Sequence, residues 1–243
     1  MDIKLTNVSK SFDKKTVISD MSFSISSGDI VCLLGPSGSG KTTIIRLLIG
    51  AIASDRGTIH FGETKVPDLK LLKQIGFMPQ NDALYDDLSG EDNLRFFGGF
   101  FKMGKSHLEK RITEVLELVD LSDHRKKYIR NYSGGMKKRL SLAATLLHEP
   151  DVLLLDEPTV GIDPVLRHNI WNQFKAIKAT GKTIIVSTHV MDEVTECDKA
   201  ALIYNGRLIN YDSVENLLSK TKSGKVEELF IEADKRQKGG EAL

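Results

Sequence analysis

The segment Gly35-Pro36-Ser37-Gly38-Ser39-Gly40-Lys41-Thr42 constrains the fold of this chain more than any other. It fits G-x-x-x-x-G-K-[ST], a spacing that works where a strand runs into a glycine turn and out into a helix. The flanks agree. Ile30-Val31-Cys32-Leu33-Leu34 reads as a buried strand, and Thr43-Ile44-Ile45-Arg46-Leu47-Leu48 as a helix. Glycines let successive backbone N–H groups turn inward around anionic oxygens, and the helix N-terminus adds partial positive charge. In such a loop Lys41 reaches the β- and γ-phosphates of a nucleotide, and the Thr42 hydroxyl binds Mg²⁺. Thr43, next on the helix, is counted with the phosphate site. A chance glycine-rich turn would not come with both flanks.

Composition narrows the setting. The 34 basic and 33 acidic residues nearly cancel, so no overall field points to nucleic acid or to an acidic partner. Cys32 and Cys197 form no CxxC pair and have no metal spacing; Cys32, in an apolar strand, reads as a buried free thiol, which suits a reducing cytosol. The first residues carry no signal-peptide pattern. No apolar run approaches the roughly 20 residues that span a bilayer. A soluble chain is expected, with any membrane role running through a partner.

Short apolar stretches open the chain: Ile3 to Val8, Val17-Ile18, Met21 to Ile25 and Ile30 to Leu34. Their close spacing predicts antiparallel strands leading into the glycine loop. Thr58 to Phe61 and Ile75 to Met78 are further strand candidates. Leu84 to Leu147 is patterned as helix. Val152 to Leu155, Thr183 to Val186 and Ala200 to Tyr204 then alternate with helical segments around Ile170 to Ile177 and Met191 to Cys197, which implies a largely parallel sheet. Asn205-Gly206 between two apolar runs signals a hairpin. The tail from Thr221 predicts a short helix with a frayed end after Lys235. The fold expected is α/β, with a mostly parallel sheet, an N-terminal antiparallel part and an inserted helical subdomain.

Val152-Leu153-Leu154-Leu155-Asp156-Glu157 is an apolar strand ending in two carboxylates. Ligands bind at the carboxyl ends of strands in an open parallel sheet. Asp156 there can help hold Mg²⁺, directly or through water, and Glu157 can polarise an attacking water. The alternative is that Asp-Glu-Pro merely caps the next segment. Upstream, Asn131-Tyr132-Ser133-Gly134-Gly135-Met136 opens a helix with Leu140, Leu142, Ala143, Leu146 and Leu147 on its apolar side. Ser133 is a natural N-cap, and the amides of Gly134 and Gly135 make a second anion site. One nucleotide does not need both helix starts from one subunit; two subunits arranged head to tail would use both.

Taken together, these residues resemble the ATP-binding cassette family, and specifically the nucleotide-binding subunit of an ABC transporter of the ABC-2 exporter branch. The resemblance runs from Phe12 to about Leu218. It implies a P-loop core over residues 1–220, a helical subdomain inserted at about 84–148, and a short C-terminal helix and tail over 221–243. It also implies ATP and Mg²⁺ as ligands. Phe12 matches the aromatic that stacks on adenine, and Gly35 to Thr42 the Walker A loop. Gln80 matches the Q-loop glutamine, which touches Mg²⁺ or water and faces the membrane subunit. Ser133 to Met136 match the signature turn, Val152 to Asp156 Walker B, Glu157 the catalytic glutamate, Val160 to Asp163 the D-loop and His189 the switch histidine. Tyr132 and Met136 depart from the usual Leu and Gln of the signature, as in the drug- and lipid-exporter branch.

The chemistry read from the residues agrees. Phosphoryl transfer to water needs charge neutralisation, a positioned water and an in-line approach. Lys41, Mg²⁺ and both helix starts supply the first; Glu157, Gln80 and His189 supply the second. The other five histidines (His60, His107, His124, His148, His168) read as surface residues. Phe96, Phe97, Phe100 and Phe101 recur at helical spacing, either as core of the helical insertion or as a groove for a membrane subunit's helix. Asp82, Tyr85, Asp86 and Asp87 would flank that groove. The basic run through Arg125, Lys126, Lys127, Arg130, Lys137, Lys138 and Arg139 reads as a solvated face, with no nucleic-acid motif nearby.

The expected function is an ATPase subunit that powers export through a separate permease, on the cytoplasmic face of the membrane and as an ATP-bound homodimer. An importer ATPase is the alternative within that class. A soluble cassette acting on DNA or ribosomes, and a regulatory subunit without turnover, are the other classes.

Overall fold

Strong period-2 alternation at the N-terminus and unbroken apolar runs later in the chain give two kinds of strand. A computed structural model describes residues 1–238. In chain order the strands are β1 (Ile3–Phe12), β2 (Lys15–Ile25), β3 (Ile30–Leu34), β4 (Arg56–Phe61), β5 (Thr64–Lys65), β6 (Ile75–Met78), β7 (Val152–Asp156), β8 (Thr183–Thr188), β9 (Lys199–Tyr204) and β10 (Arg207–Ser213). The helices are α1 (Lys41–Leu48), α2 (Gly90–Phe100), α3 (Lys105–Leu118), α4 (Gly134–Leu146), α5 (Pro164–Ala179), α6 (Val214–Ser219) and α7 (Glu227–Lys238). They form two compact units, one from Met1–Asp68 with the chain from Thr183 onward, the other from Leu69–Lys182.

In the first unit β1 pairs antiparallel with both β2 and β4, and β5 extends β4. Ile18, Met21, Phe23 and Ile25 of β2 are buried while their neighbours face out, the signature of a sheet wet on one side. The two apolar stretches expected at Val17-Ile18 and Met21 to Ile25 are one strand, broken in register near Asp20, whose φ is 49°. The central β3 runs parallel to β8 on one side and to β9 on the other. Every residue of β3 and β8 is buried. Each fully buried aliphatic side chain contributes about 1.5–3 kcal/mol, so these strands dominate the core. β10 returns antiparallel to β9 through Asn205 and Gly206, with φ of 46° and 76°. That pair of positive φ values is what a type I′ hairpin demands.

In the second unit β6 runs parallel to β7, with Met78 opposite Leu155. Helices α2, α3 and α4 fill the stretch that the pattern assigns to helix. Ser89 caps α2 by accepting from the Asp92 N–H, and Asp163 caps α5 by accepting from the Leu166 N–H at 3.0 Å with Pro164 following. Such caps are worth about 1 kcal/mol each.

The helical segment expected around Met191 to Cys197 is a 3-10 helix over Met191–Glu196. One expectation needs correction. The last helix continues past Lys235 to Lys238, because Lys238 pairs with Asp234 at 2.7 Å one turn back and basic side chains suit a helix C-terminus. The remainder of the expected frayed end, 239–243, lies outside the described residues.

Candidate nucleotide site

The glycine loop between β3 and α1 is closely approached at Gly35 and Gly40, where a side chain has no room. A Cβ on Gly35 would lie 2.1 Å from the Ile203 carbonyl oxygen, and one on Gly40 2.5 Å from Ile18 Cδ1. Gly38 and Gly40 adopt φ of 79° and 106°, conformations open to glycine without steric cost. The Asn205-Gly206 turn braces the loop from beside it. Gly206 N–H donates to the Ser39 carbonyl at 3.1 Å, and Ser19 N–H donates to the Gly206 carbonyl at 2.9 Å. Lys41 is buried, and its Nζ donates to the carbonyls of Gly35 at 2.7 Å and Pro36 at 3.0 Å. Pro36, Ser37 and Gly38 are exposed at the turn, and Thr42 and Thr43 are half-buried on the first turn of α1.

These features fit a bound triphosphate. An anionic oxygen is a stronger partner for an ammonium than a neutral carbonyl. The Ser39 hydroxyl oxygen is buried without a hydrogen-bond partner among the described residues, a polar atom that a phosphate oxygen would satisfy. No group of three or more His, Cys, Asp and Glu among the described residues is arranged to hold a metal. The Thr42 hydroxyl at the start of α1 is a hard oxygen donor of the kind that shares Mg²⁺ with phosphates rather than caging it.

His189 also belongs to the first unit. Leu34 lies opposite Thr188 in the β3–β8 register, and Gly35 N–H donates to the Thr188 carbonyl at 3.4 Å, so His189 follows a residue bonded to the start of the loop. The Thr188 hydroxyl donates to Glu193 at 2.6 Å and accepts from Val190 N–H at 3.0 Å, which fixes the turn carrying His189. Phe12 ends β1 with 43% of its surface exposed, and Lys10 Nζ sits 5.4 Å from its ring centroid.

The second unit carries the carboxylates. Asp156 and Glu157 are buried at the end of β7. Glu157 has φ 52°, a left-handed conformation uncommon outside glycine and found preferentially at functional turns. The parallel β6–β7 register brings Gln80, two residues beyond Met78, beside it. Gln80 Nε2 donates to Glu157 Oε2 at 2.9 Å. Ser133 caps α4 as expected, accepting from Met136 N–H at 3.3 Å, and Ser133 and Gly134 lie at the start of that helix, Gly134 facing solvent. A Cβ on Gly135 would reach ordinary contact with the Leu166 side chain at 3.4 Å. Asp163 is exposed at its cap position.

The two departures in the signature turn are packing residues. Tyr132 and Met136 are buried. The Tyr132 hydroxyl donates to the His124 carbonyl at 2.8 Å and crowds Gly90, where a Cβ would lie 2.4 Å from it. Burial pushes the Tyr132 phenol up from its usual range.

The phenylalanines divide. Phe97 and Phe101 line a cavity of about 200 Å³ with Phe77, Pro79, Leu84 and Ala144. Phe96 stands edge-on to Tyr85 at 4.6 Å and to Phe100 at 5.2 Å, and Phe100 is 68% exposed. Phe97 and Phe101 thus pack within the helical insertion, while Phe96 and Phe100 stand at its surface. His148 is not the surface residue expected. It is half-buried in this cavity wall, stacked flat on Phe101 at 3.7 Å, and its Nε2–H donates to the Ile75 carbonyl at 3.1 Å. Burial lowers its pKa, with Lys182 adding to the effect.

The acidic and basic residues of this unit neutralise one another. Asp86 pairs with Lys137 at 2.7 Å, Asp87 with Arg130 at 3.1 Å, and Glu91 with Arg125 at 2.7 Å. Arg139 donates to the carbonyls of Val119 and Asp120. Much of the basic run is thus engaged rather than merely solvated. Sequence reasoning missed these pairs and the loop-bracing role of Asn205-Gly206.

A family model described as ABC transporter matches residues 18–160, more than half of the chain. The chain belongs to the ABC transporter family. It is an ATP-binding subunit of that family, with ATP as its substrate, Mg²⁺ as the accompanying metal and ATP hydrolysis as its reaction. This ABC ATPase is similar to the linearmycin resistance ATP-binding protein LnrL of Bacillus subtilis (strain 168), at 37% identity over 94% of the chain and 75% of that protein. It is also similar to the Nod factor export ATP-binding protein I of Sinorhizobium fredii, at 41% identity over 85% of the chain and 61% of that relative. Among solved structures, the dimeric post-hydrolysis state of the ATP-binding cassette MJ0796 bound to ADP and Pi matches with a TM-score of 0.79 and 25% identity, over 87% of this chain and 98% of that one. ABC ATPase subunits dimerise and pair with transmembrane subunits. No helix among the described residues of this one is long and apolar enough to cross a membrane.

Proposed function

We propose that this subunit hydrolyses ATP to drive export of a substrate through a separate membrane permease, at the cytoplasmic face and as a head-to-tail homodimer. The observation that carries the hydrolytic part is Gln80 hydrogen-bonded to the buried, left-handed Glu157 next to Asp156. The names of two relatives, one for export and one for resistance to linearmycin, support the direction of transport.

Each residue has a role in this reading. Phe12 offers its exposed ring to adenine. The amides from Gly35 to Gly40 with Ser39, and Thr43 beside them, surround phosphate oxygens, and Lys41 exchanges its loop carbonyls for them. Thr42, Asp156 and Gln80 would hold Mg²⁺, which would supply further neutralisation of phosphate charge. Glu157 accepts a hydrogen bond from the attacking water and so raises its nucleophilicity, with Gln80 holding the carboxylate in place. His189 donates to an oxygen of the phosphoryl group as its charge shifts. Ser133, Gly134 and Gly135 lie at the N-terminus of a thirteen-residue helix, where their amides can meet the phosphate held by a second copy, with Asp163 at the same junction. The aromatic cavity along α2 takes a helix of the permease.

The test is Glu157→Gln. It is expected to keep ATP affinity, lose about 10²- to 10⁴-fold in turnover, and elute as a dimer with ATP and Mg²⁺ on a sizing column. Retained turnover would remove Glu157 from the reaction, and a monomer at saturating ATP would remove the homodimer.

A further inference from the structure

Lys138, read from sequence as part of a solvated basic face, donates its ammonium to the Gln80 main chain. It lies on the second turn of α4, with its side chain only 15% exposed. Its Nζ donates to the Gln80 carbonyl oxygen and stands 3.9 Å from Asp82 Oδ1. Gln80 is the residue whose side chain holds Glu157. The neighbours on either side of this short segment, Pro79 and Ala83, line the aromatic cavity. One residue earlier on the same helix, Lys137 ties down Asp86.

We infer that Lys138 is a positioning residue for hydrolysis, which ties the Gln80–Asp82 segment to the signature helix so that the Gln80 amide stays on Glu157. The inference deepens the hydrolytic role proposed for Glu157 and rests on it.

The physical case is one of restraint. A glutamine on a connection leaving a strand has rotatable bonds in both backbone and side chain, and a hydrogen bond from its amide fixes only one end. An ammonium on the carbonyl of the same residue fixes the other. Charge-assisted hydrogen bonds are shorter and stronger than neutral ones, and the Lys138 side chain that makes this one is only 15% exposed. Asp82 adds to the hold. The helix that supplies Lys138 begins at Ser133, so a molecule binding at that helix start and a helix filling the cavity beside Pro79 would both act on the same tie.

The experiment uses the full chain. Lys138→Met keeps an apolar stem of similar length and removes the charge and donor. It is expected to speed hydrogen exchange of the backbone amides from Asn81 to Ala83 without nucleotide. It should also lower kcat by about 10-fold or more with KM for ATP within about 2-fold, since misplaced catalytic groups cost rate rather than ground-state binding. Lys138→Arg, which keeps charge and donor, should restore most of both. In a Gln80→Ala background, Lys138→Met should cause no further loss of kcat, because the group it positions is gone. Unchanged exchange, or an equal fold-loss in both backgrounds, would overturn the inference. Glu157→Gln measured in parallel separates the two ideas. If it turns over normally, the hydrolytic reading itself fails. If it is inactive while Lys138→Met is normal, only the role of Lys138 fails.

Discussion

The glycine loop and the signature helix are both helix starts that present amides, yet they are built in different ways. The loop of the first unit is specified by its backbone. Gly35 and Gly40 are needed because other atoms already occupy the space of a side chain, and Gly38 and Gly40 because of their φ values. The signature helix of the second unit is specified by side chains. A Cβ added at Gly134 would meet nothing within 4 Å, while Tyr132, Lys137, Lys138 and Arg139 anchor the helix to distant segments. A backbone-defined site tolerates no substitution at its tight points. A site defined by side chains can vary in sequence while keeping its position, which is how Tyr132 and Met136 can replace the usual residues.

The sharpest way to break this contrast is Gly35→Ala. Its Cβ would meet a backbone carbonyl at 2.1 Å, which no side-chain movement relieves. Nucleotide affinity is expected to fall by about 100-fold or more, on the scale of a roughly 3 kcal/mol strain. A fluorescent-nucleotide titration measures it, and near-normal affinity would show that the loop is less rigid than its contacts imply. Gly134→Ala should leave monomer affinity for nucleotide unchanged in the same assay.

Next in size is the double variant Phe96→Ser, Phe100→Ser. These rings are exposed and touch mainly Tyr85, Phe97 and each other. ATP turnover of the isolated subunit should change less than about 2-fold, while co-purification with the permease from solubilised membranes should fall about 10-fold or more, as for aromatic anchors at an interface. Normal co-purification would move the docking surface elsewhere. By contrast, reversing Asp86 and Asp87 removes exposed pairs with Lys137 and Arg130, each worth about 0–1 kcal/mol, so the acids are a weaker lever on docking than the rings.

A smaller effect concerns His148. Burial holds its folded pKa below the ordinary value of 6.5, with Lys182 contributing. The stability that comes from keeping it neutral is therefore fully present above the unfolded pKa and is lost as pH falls below 6.5 toward the folded value. Thermal melts between about pH 7.5 and 5.5 should show the midpoint falling with acid, and His148→Phe, which keeps a ring against Phe101, should flatten that slope. An unchanged slope would place the titration elsewhere. The smallest effect expected is Gly99→Ala in α2, where a Cβ meets nothing within 4 Å. It should stabilise the fold by about 0.5–1 kcal/mol from helix propensity alone, read as a rise in the denaturant midpoint.

Much of the fold was legible because its signals are local. The glycine loop, the apolar strands β3, β7 and β8, the Asn205-Gly206 hairpin and the Ser133 cap each follow from a few adjacent residues acting on their own backbone. The residues of the candidate site were picked out in the same way, from their spacing along the chain. The burial of His148 was not legible, since a lone histidine after two leucines has no pattern of its own and its stacking partner Phe101 lies on another element. The helical end at Lys238 escapes a pattern reading for a smaller reason, a single i,i+4 pair at the last turn.

The amino-acid sequence by itself determined that this chain has a triphosphate loop, a strand-end carboxylate pair and a second helix start with exposed amides, because each depends on conformational rules that act over fewer than about ten residues. Tertiary structure decided which groups those features meet. Gln80 finds Glu157 across 77 residues of sequence, Lys138 finds Gln80 across 58, and Lys137 finds Asp86 across 51. Charge alone does not choose among the 34 basic and 33 acidic residues of the chain. The β6–β7 register sets the first of these pairs and the packing of α4 the other two, because a hydrogen bond needs its atoms within about 3 Å, and only the folded backbone brings them there.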